Sequence, residues 1–335
     1  MSNQQSAFST QQGVSQQLPA ASCQDKRQVT EHNRLASDLF GIKMNSPLMT
    51  ASGTYGYGKE FANFYDLNLL GAIVVKGITM KPRAGNSGQR LIETPAGLIN
   101  SIGLENPGVE GFLVQEMPFL RESGVPVIVN LSGNTPEEYA ALAERLTGEP
   151  GVHALEVNIS CPNVKQGGMA FGASCDMAAA VTSDVRKRTQ LPIIVKLSPN
   201  VTDIASIAKA VEAEGADGIS LINTLLGMGI DRQKRKPFLD NTFGGLSGPA
   251  VKPVALRMVW QVAGAVKIPV VGMGGISTWQ DAVEFFLAGA SAIAIGTANF
   301  FNPMAVPEII TGVNRYLQLA NMNDISELIG AARPK

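Results

Sequence analysis

The chain has 335 residues, of which 45% are hydrophobic and 16% charged, with a net charge of −1. A chain this long and apolar can bury a large core, and its near-neutral charge gives no electrostatic case for nucleic acid or an anionic membrane. Three cysteines, Cys23, Cys161 and Cys175, at no metal-like spacing, argue against a disulfide framework and a zinc site and fit a reducing cytoplasm.

Residues 1–33 are rich in Gln and Ser and contain no apolar run, so they read as a disordered polar extension. A targeting peptide is the alternative, opposed by the scarcity of Arg and the presence of acidic residues. Short β-like pieces follow around Leu35 to Met44. A unit then recurs: an apolar run, a polar or glycine exit, and a longer amphipathic segment. The runs are Leu48 to Ala51, Ala72 to Val75, Val125 to Asn130, Ala154 to Ile159, Ile193 to Leu197, Gly218 to Ile222, Ile268 to Gly272 and Ala292 to Ile295. Each is too short for a helix and apolar on consecutive residues, as expected of parallel strands covered on both faces. Helical patterns separate them at Pro136 to Leu146, Ala173 to Thr189, Asp203 to Glu214, Pro253 to Val266 and Trp279 to Ala288. Thr135, with Pro136 and Glu138 behind it, and Thr202, with Asp203, are expected to start two of these helices. Eight alternations predict an α/β fold, a (β/α)8 TIM barrel over residues 34–335. No stretch has about eighteen uninterrupted apolar residues, so no membrane span is expected.

Two intervals are too long for plain connections. Ile78 to Gly124 carries Asn100-Ser-Ile-Gly-Leu-Glu-Asn-Pro107, and Leu225 to Pro249 carries Arg232-Gln-Lys-Arg-Lys236 and Gly244-Gly-Leu-Ser-Gly248. They are expected to hold hairpins after strands two and six that roof the catalytic face. The basic run has no aromatic platform beside it and reads as a solvated hairpin rather than a nucleic-acid site.

In parallel α/β folds ligands sit at the carboxyl ends of the strands. Here those ends carry Ser52 and Gly53, Lys76 and Gly77, Asn130, Asn158 with Cys161, Lys196, Asn223 and Thr224, Gly274 and Gly275, and Gly296 with Thr297. So many polar exits are hard to explain as packing. The glycine pair after strand seven and Gly296-Thr297 after strand eight read as a phosphate site, with the helix opening at Ser277 to Gln280 expected to help; tight turns alone are the bland alternative. A lysine in a barrel mouth needs an anion nearby, so Lys76 and Lys196 should each face negative charge, such as the edge of a reduced flavin or an acidic substrate. The two histidines, His32 and His153, lie away from the strand exits, and no Asp, Glu and His cluster points to a metal. Cys161 is then the best-placed group to take a proton, given neighbours that lower its pKa; an inert buried thiol is the commoner fate of a free cysteine. Gly167, Gly168 and Gly172 would let its loop move over a site.

Asn158-Ile-Ser-Cys-Pro-Asn163, Val195-Lys-Leu-Ser-Pro-Asn200, Ala51-Ser-Gly-Thr-Tyr-Gly56, the Asn100 to Pro107 segment, Gly272-Met-Gly-Gly275 and Ala294-Ile-Gly-Thr-Ala298 together resemble the dihydroorotate dehydrogenases of class 1, most closely the class 1B catalytic subunit. The resemblance runs from about Asn33 to the end. It implies a barrel holding one FMN that oxidises dihydroorotate to orotate in pyrimidine synthesis. It places FMN on Ser52, Lys76, Gly77, Asn130, Asn158, Lys196, Ile222, Gly248, Gly274, Gly275, Gly296 and Thr297. Substrate falls to Lys76, Asn100, Ser101, Ile102, Gly103, Leu104, Asn158, Asn223 and Thr224. Cys161 would be the base that removes the C5 proton while hydride passes from C6 to flavin N5. The same resemblance implies a homodimer of barrels joined to an iron–sulfur, FAD-containing subunit that passes electrons to NAD, as a heterotetramer. Three cysteines cannot themselves ligate such a cluster.

Other readings keep the barrel and change the chemistry. A dihydropyrimidine-type reductase or a tRNA dihydrouridine synthase would retain flavin; the latter should bring a basic surface and an extra helical domain. A flavin-free sugar-phosphate isomerase or lyase would use only the phosphate site. A non-catalytic binding protein would have no need of Cys161 with Lys76.

Overall fold

The computed structural model describes residues 33–160 and 171–334. The first thirty-two residues, with Cys23 and His32, and the segment 161–170, with Cys161, Gly167 and Gly168, lie outside the described residues. Asn33 opens the fold: its side chain donates to the Asn45 carbonyl at 2.8 Å and accepts the Leu35 amide at 3.1 Å.

A small hairpin of β1 (Ser37–Leu39) and β2 (Ile42–Met44) comes first, followed by the barrel strands β3 (Leu48–Thr50) and β4 (Ile73–Val74). After β4 the chain forms β5 (Leu91–Thr94), β6 (Gly97–Asn100) and two short helices, α1 (Gly108–Gln115) and α2 (Met117–Ser123). Regular alternation then sets in: β7 (Val127–Leu131), α3 (Pro136–Leu146), β8 (Ala154–Asn158), α4 (Cys175–Arg186), β9 (Ile193–Lys196), α5 (Ile204–Ala213) and β10 (Gly218–Leu221). An excursion of β11 (Leu225–Gly227), β12 (Ile230–Asp231), β13 (Lys236–Pro237) and β14 (Gly244–Ser247) interrupts it. The chain closes with α6 (Lys252–Ala263), β15 (Val270–Met273), α7 (Trp279–Ala288), β16 (Ala292–Ile295), α8 (Ala298–Phe301) and α9 (Ala305–Leu319).

The eight parallel strands run in the order β3-β16-β15-β10-β9-β8-β7-β4. The seam between β4 and β3 is closed by a parallel bridge of Met49 with Ala72, by the Gly71 amide on the Leu48 carbonyl at 2.8 Å, and by a side chain. The Thr50 hydroxyl accepts the Val74 amide at 2.9 Å and donates to the Val74 carbonyl at 3.3 Å, standing in for a missing backbone rung. The chain is thus a (β/α)8 TIM barrel, as its eight apolar runs predict.

Alternation along each strand sends every second residue inward. The lower interior is apolar, filled by Met49, Ala72, Ile128, Ala154, Ile194, Val271 and Ala292. The β1–β2 hairpin stops the floor: Ile42 and Met44 join this cluster, and Phe40 lies so close to Gly218 that any side chain there would collide with its ring. The upper interior is polar: the next inward residues on β7 to β10 are Asn130, Glu156, Lys196 and Ser220, all buried. Outward-facing residues such as Val129, Leu155, Val157, Val195 and Ile219 pack under the helices with Phe285, Phe286, Val306 and Ile309.

Helices α3 and α7 match their expected spans residue for residue, while α4, α5 and α6 shift or shorten by a few residues at their ends. Thr135 caps α3 by accepting the Glu138 amide. The cap of α5 is Asp203 rather than Thr202, since its carboxylate takes the Ala205 and Ser206 amides. The first connection is not a helix. Gly53, Gly56 and Gly58 adopt positive φ, and two 3-10 turns, Phe61–Asn63 and Leu67–Leu69, follow. Phe61 stacks on Tyr55 at 4.0 Å, and the Tyr55 and Tyr65 hydroxyls meet at 2.8 Å, so side chains do the joining.

The two long intervals hold hairpins, and they combine. Strand β6 pairs antiparallel with both β5 and β14, and β14 with β11, giving one four-stranded sheet, β11-β14-β6-β5, from segments more than 120 residues apart. At the junction Gly97 has φ +150°, and a Cβ there would overlap the Ser247 carbonyl oxygen. The basic run is the exposed tip of the inner β12–β13 hairpin, its turn held by Asp231 accepting the Gln233 and Lys234 amides. Among the described residues no helix is long and apolar enough to cross a membrane.

Candidate active site

A cavity of about 1040 Å³ opens at the carboxyl ends of the strands, under the four-stranded sheet. Every expected cofactor and substrate residue that is described lines it: Ser52, Lys76, Gly77, Asn130, Asn158, Lys196, Ile222, Gly248, Gly274, Gly275, Gly296 and Thr297, and Asn100 to Leu104 with Asn223 and Thr224. Ser160, one residue before Cys161, lines it too. Backbone strand ends place the first group, and the hairpin sheet brings in Gly248 and Asn100.

One end is made of backbone. Gly248, Gly274 and Gly275 have φ of +93°, +122° and +79°, where a side chain would be strained. A Cβ at Gly275 would also lie 2.7 Å from that of Lys252 and 2.8 Å from the Gly248 carbonyl. The helix start expected to assist an anion here is otherwise engaged. Asp281 accepts the Ser277 and Thr278 amides, completes a capping box with Thr278, and bonds Lys252 at 2.5 Å. Burial opposes ionisation of Asp281, but Lys252 and these donors outweigh it and hold its pKa below the ordinary value.

The opposite end holds Lys76 and the Asn100–Leu104 segment. Ser101 donates its amide to the Arg90 carbonyl at 2.7 Å, and the Ser101 and Ile102 carbonyls accept from Asn86 at 2.8 and 2.9 Å. Buried Asn106 binds the Leu104 carbonyl at 2.7 Å and clamps Thr79 and the Gly108 amide. The carbonyls are thereby tied back, while the amides of Ile102, Gly103 and Leu104 bond to no described residue. Leu104 itself has φ +56°. Lys76 has no ion-pair partner among the described residues, and its charge, after that of Arg90, helps hold Glu105 below the usual carboxylate range.

Between these ends lies a network of side chains. Asn158 Oδ1 accepts from Asn223 Nδ2 at 3.3 Å and from the Ser160 amide at 3.2 Å. Tyr139 donates to the Asn158 carbonyl at 2.6 Å, and Ser160 donates to the Lys196 carbonyl at 3.1 Å. Asn200 joins neighbouring strand exits through the Thr224 carbonyl and the Leu226 amide. Lys196 is 4% exposed and donates to Ser52 Oγ at 3.0 Å, with Glu156 at 3.7 Å. The anion expected beside Lys196 is therefore within the protein. Asn130 Nδ2 is bonded to Glu156 and Ser52, yet its Oδ1, like Ser132 Oγ, is buried with no partner among the described residues. A Cβ on Gly77 would sit 2.9 Å from that Oδ1 and 3.1 Å from Ser132 Oγ.

Residues that sequence reading passed over are Glu156, Ser220, Asn200, Asn106 and Asn86. Glu156 left a signal, a carboxylate inside an otherwise apolar strand run; Asn86 left none, since its role depends on a turn in a long loop. His153 lies exposed at the opposite end of β8, as expected from its position ahead of that strand, and accepts the Val127 amide. Among the described residues no group of His, Cys, Asp and Glu could hold a metal.

Residues 34–317 match the family model for dihydroorotate dehydrogenase. The chain is 61% identical over 298 residues to the dihydroorotate dehydrogenase B (NAD(+)) catalytic subunit of Desulforamulus reducens, covering 89% of this chain and 98% of that protein. It is 58% identical over 297 residues to the subunit of the same name from Geotalea uraniireducens, covering 89% and 97%. Identity to that of Geobacillus kaustophilus is 53% over 298 residues, covering 89% and 95%. With its barrel, its polar strand exits and these relatives, the chain belongs to the dihydroorotate dehydrogenase family, in its class 1B branch.

Proposed function

We propose that the chain oxidises dihydroorotate to orotate in pyrimidine biosynthesis with one FMN bound in the cavity. The observation that carries this reading is the polarity of one cavity with two unlike ends: a glycine cradle at Gly248, Gly274 and Gly275, and a lysine beside unbonded amides at Lys76 and Ile102–Leu104. The cradle, with Gly296 and Thr297, suits a phosphate approached by backbone amides. Asn130 Oδ1, buried without a partner next to Gly77, suits an imide or amine donor on a planar ring. The residues present thus fit FMN. Bound there, it supplies a two-electron acceptor.

The chain's own groups then divide the work. Lys76 and the Ile102–Leu104 amides grip the substrate carboxylate, because a charge-assisted clamp fixes both position and orientation. Asn158, Asn223 and Thr224 hold the ring's amide edges; the Asn158 side chain is oriented by the Ser160 amide and Asn223, the Asn223 side chain by Asn158 and the Thr224 amide, and the Thr224 backbone by Asn200 at its carbonyl. Cys161 takes the C5 proton as general base. Lys196 with Ser52 supplies positive charge at the cavity floor, where negative charge develops on reduction. Residues 34–335 form the FMN-binding catalytic domain, with Asn33 bonded to its first residues.

Electrons leave through a second subunit. The relatives are named NAD(+)-linked catalytic subunits. The sequence has three cysteines, too few for an iron–sulfur site. A partner holding FAD and an iron–sulfur cluster, on a homodimer of this chain in the cytoplasm, meets that need as a heterotetramer. The test is an acceptor comparison on the purified FMN-loaded chain: dihydroorotate should reduce an artificial dye and yield orotate, with no NADH formed until the partner is added. Dye reduction by dihydrouracil in preference to dihydroorotate would favour a dihydropyrimidine substrate instead.

A further inference from the structure

We propose that Glu156 is a positioning residue, whose buried carboxylate holds the Lys196 ammonium at the cavity floor and sets how much positive charge that lysine presents to the bound cofactor. The proposal rests on the FMN reading above and gives a task to a titratable group that the reaction leaves idle. Glu156 is 2% exposed, in the middle of β8. Period-two alternation points Ala154, Glu156 and Asn158 into the barrel, so the carboxylate lies one layer below Asn158 and level with Asn130. A carboxylate there is expensive to desolvate unless it is paired and hydrogen-bonded. It is both: Oε2 accepts from Asn130 Nδ2 at 2.5 Å and lies 3.7 Å from Lys196 Nζ, and Oε1 accepts from Ser220 Oγ at 2.7 Å.

The same groups reach Ser52. Its hydroxyl accepts from Lys196 at 3.0 Å and from Asn130 at 3.3 Å, which leaves its single O–H to donate to whatever fills the cavity it lines. Side chains from β7, β8, β9 and β10 thus form one unit with the loop after β3, and its formal charge sums to zero. Two-electron reduction adds negative charge to the bound group, which Lys196 stabilises and Glu156 opposes. Glu156 therefore holds the reduction potential below the value that Lys196 alone would give. It also keeps the lysine from turning toward other anions in the cavity.

Glu156→Gln isolates the charge. A Gln oxygen at the Oε2 position still accepts from Asn130, and the Ser220 hydroxyl can turn to accept from the new amide. The potential of bound FMN should rise in E156Q by at least the equivalent of a tenfold shift in the oxidised-to-reduced ratio, about 30 mV for a two-electron couple. An unchanged or lower potential in E156Q at full FMN occupancy would overturn the proposal. Thermal unfolding of the FMN-free chain gives a second reading, which also applies if E156Q does not fold. Lys196→Met strands a buried carboxylate, so adding E156Q to it should raise the unfolding temperature; an equal or lower temperature for the double variant overturns the pairing. A wild-type chain that takes up no FMN would instead sink the cofactor reading, and the unfolding comparison would still decide on the pair.

Discussion

The barrel seam makes the sharpest stability prediction. Thr50 is fully buried, and its hydroxyl bonds both the amide and the carbonyl of Val74, at 2.9 and 3.3 Å. Thr50→Val keeps the shape and removes both bonds. A buried amide left without an acceptor costs about 1–3 kcal/mol, and a carbonyl somewhat less, so roughly 2–4 kcal/mol is at stake. Unfolding entropy near 2.1 cal/mol/K per residue, over about 300 folded residues, gives ~0.6 kcal/mol/K, so this loss lowers Tm by about 3–6 °C. Differential scanning calorimetry on wild type, Thr50→Val and Thr50→Ser reads it directly. Serine keeps the hydroxyl and loses a methyl group, so it should fall by less than valine. Equal loss in both variants, or a valine variant within about 1 °C of wild type, would mean that the hydroxyl does not close the seam.

Cys161→Ala should cut turnover on the order of 10²–10⁴-fold, the usual worth of a general base, with FMN content unchanged in the visible spectrum. Gly97→Ala should disrupt the joint between the two hairpins, because the new Cβ overlaps the Ser247 carbonyl at φ +150°; KM for dihydroorotate should rise while far-UV circular dichroism of the barrel stays as in wild type. Asp281→Asn should destabilise the protein at neutral pH. Because the folded-state pKa of Asp281 is lowered below its ordinary 3.8, its contribution is present above that value and lost as pH falls through the lowered one. Urea midpoints of the two proteins should therefore converge below about pH 4.

Much of this was readable along the chain, because the signals are local. Short Val- and Ile-rich runs and a Thr-Pro-x-Glu start are properties of consecutive residues, and the polar strand exits follow from where each run stops. Helix α9 carries local signals too, Ala305, Val306, Ile309, Val313 and Leu317 on one buried stripe and Pro307 in the first turn, where a missing amide costs nothing, yet it is not among the helices expected from the sequence. What no local pattern carries is pairing at long range. The union of β6 with β14 joins Asn100 to Gly245, and the seam draws in one hydroxyl across 24 residues beside its backbone bonds. Glu156 was visible as an oddity, but its meaning comes from three neighbouring strands. The stretch after β3 departs from the expected strand–helix alternation, with Gly53, Gly56 and Gly58 at positive φ, and the aromatic joinery of Tyr55, Phe61 and Tyr65 needed coordinates.

Anaerobic titration of the purified chain with dihydroorotate, followed in the visible flavin bands, tests the proposed activity most directly. One equivalent of substrate per chain should bleach the absorbance and release one equivalent of orotate, with no partner subunit present. A colourless protein, or a yellow one whose spectrum is unmoved by excess dihydroorotate, would contradict it.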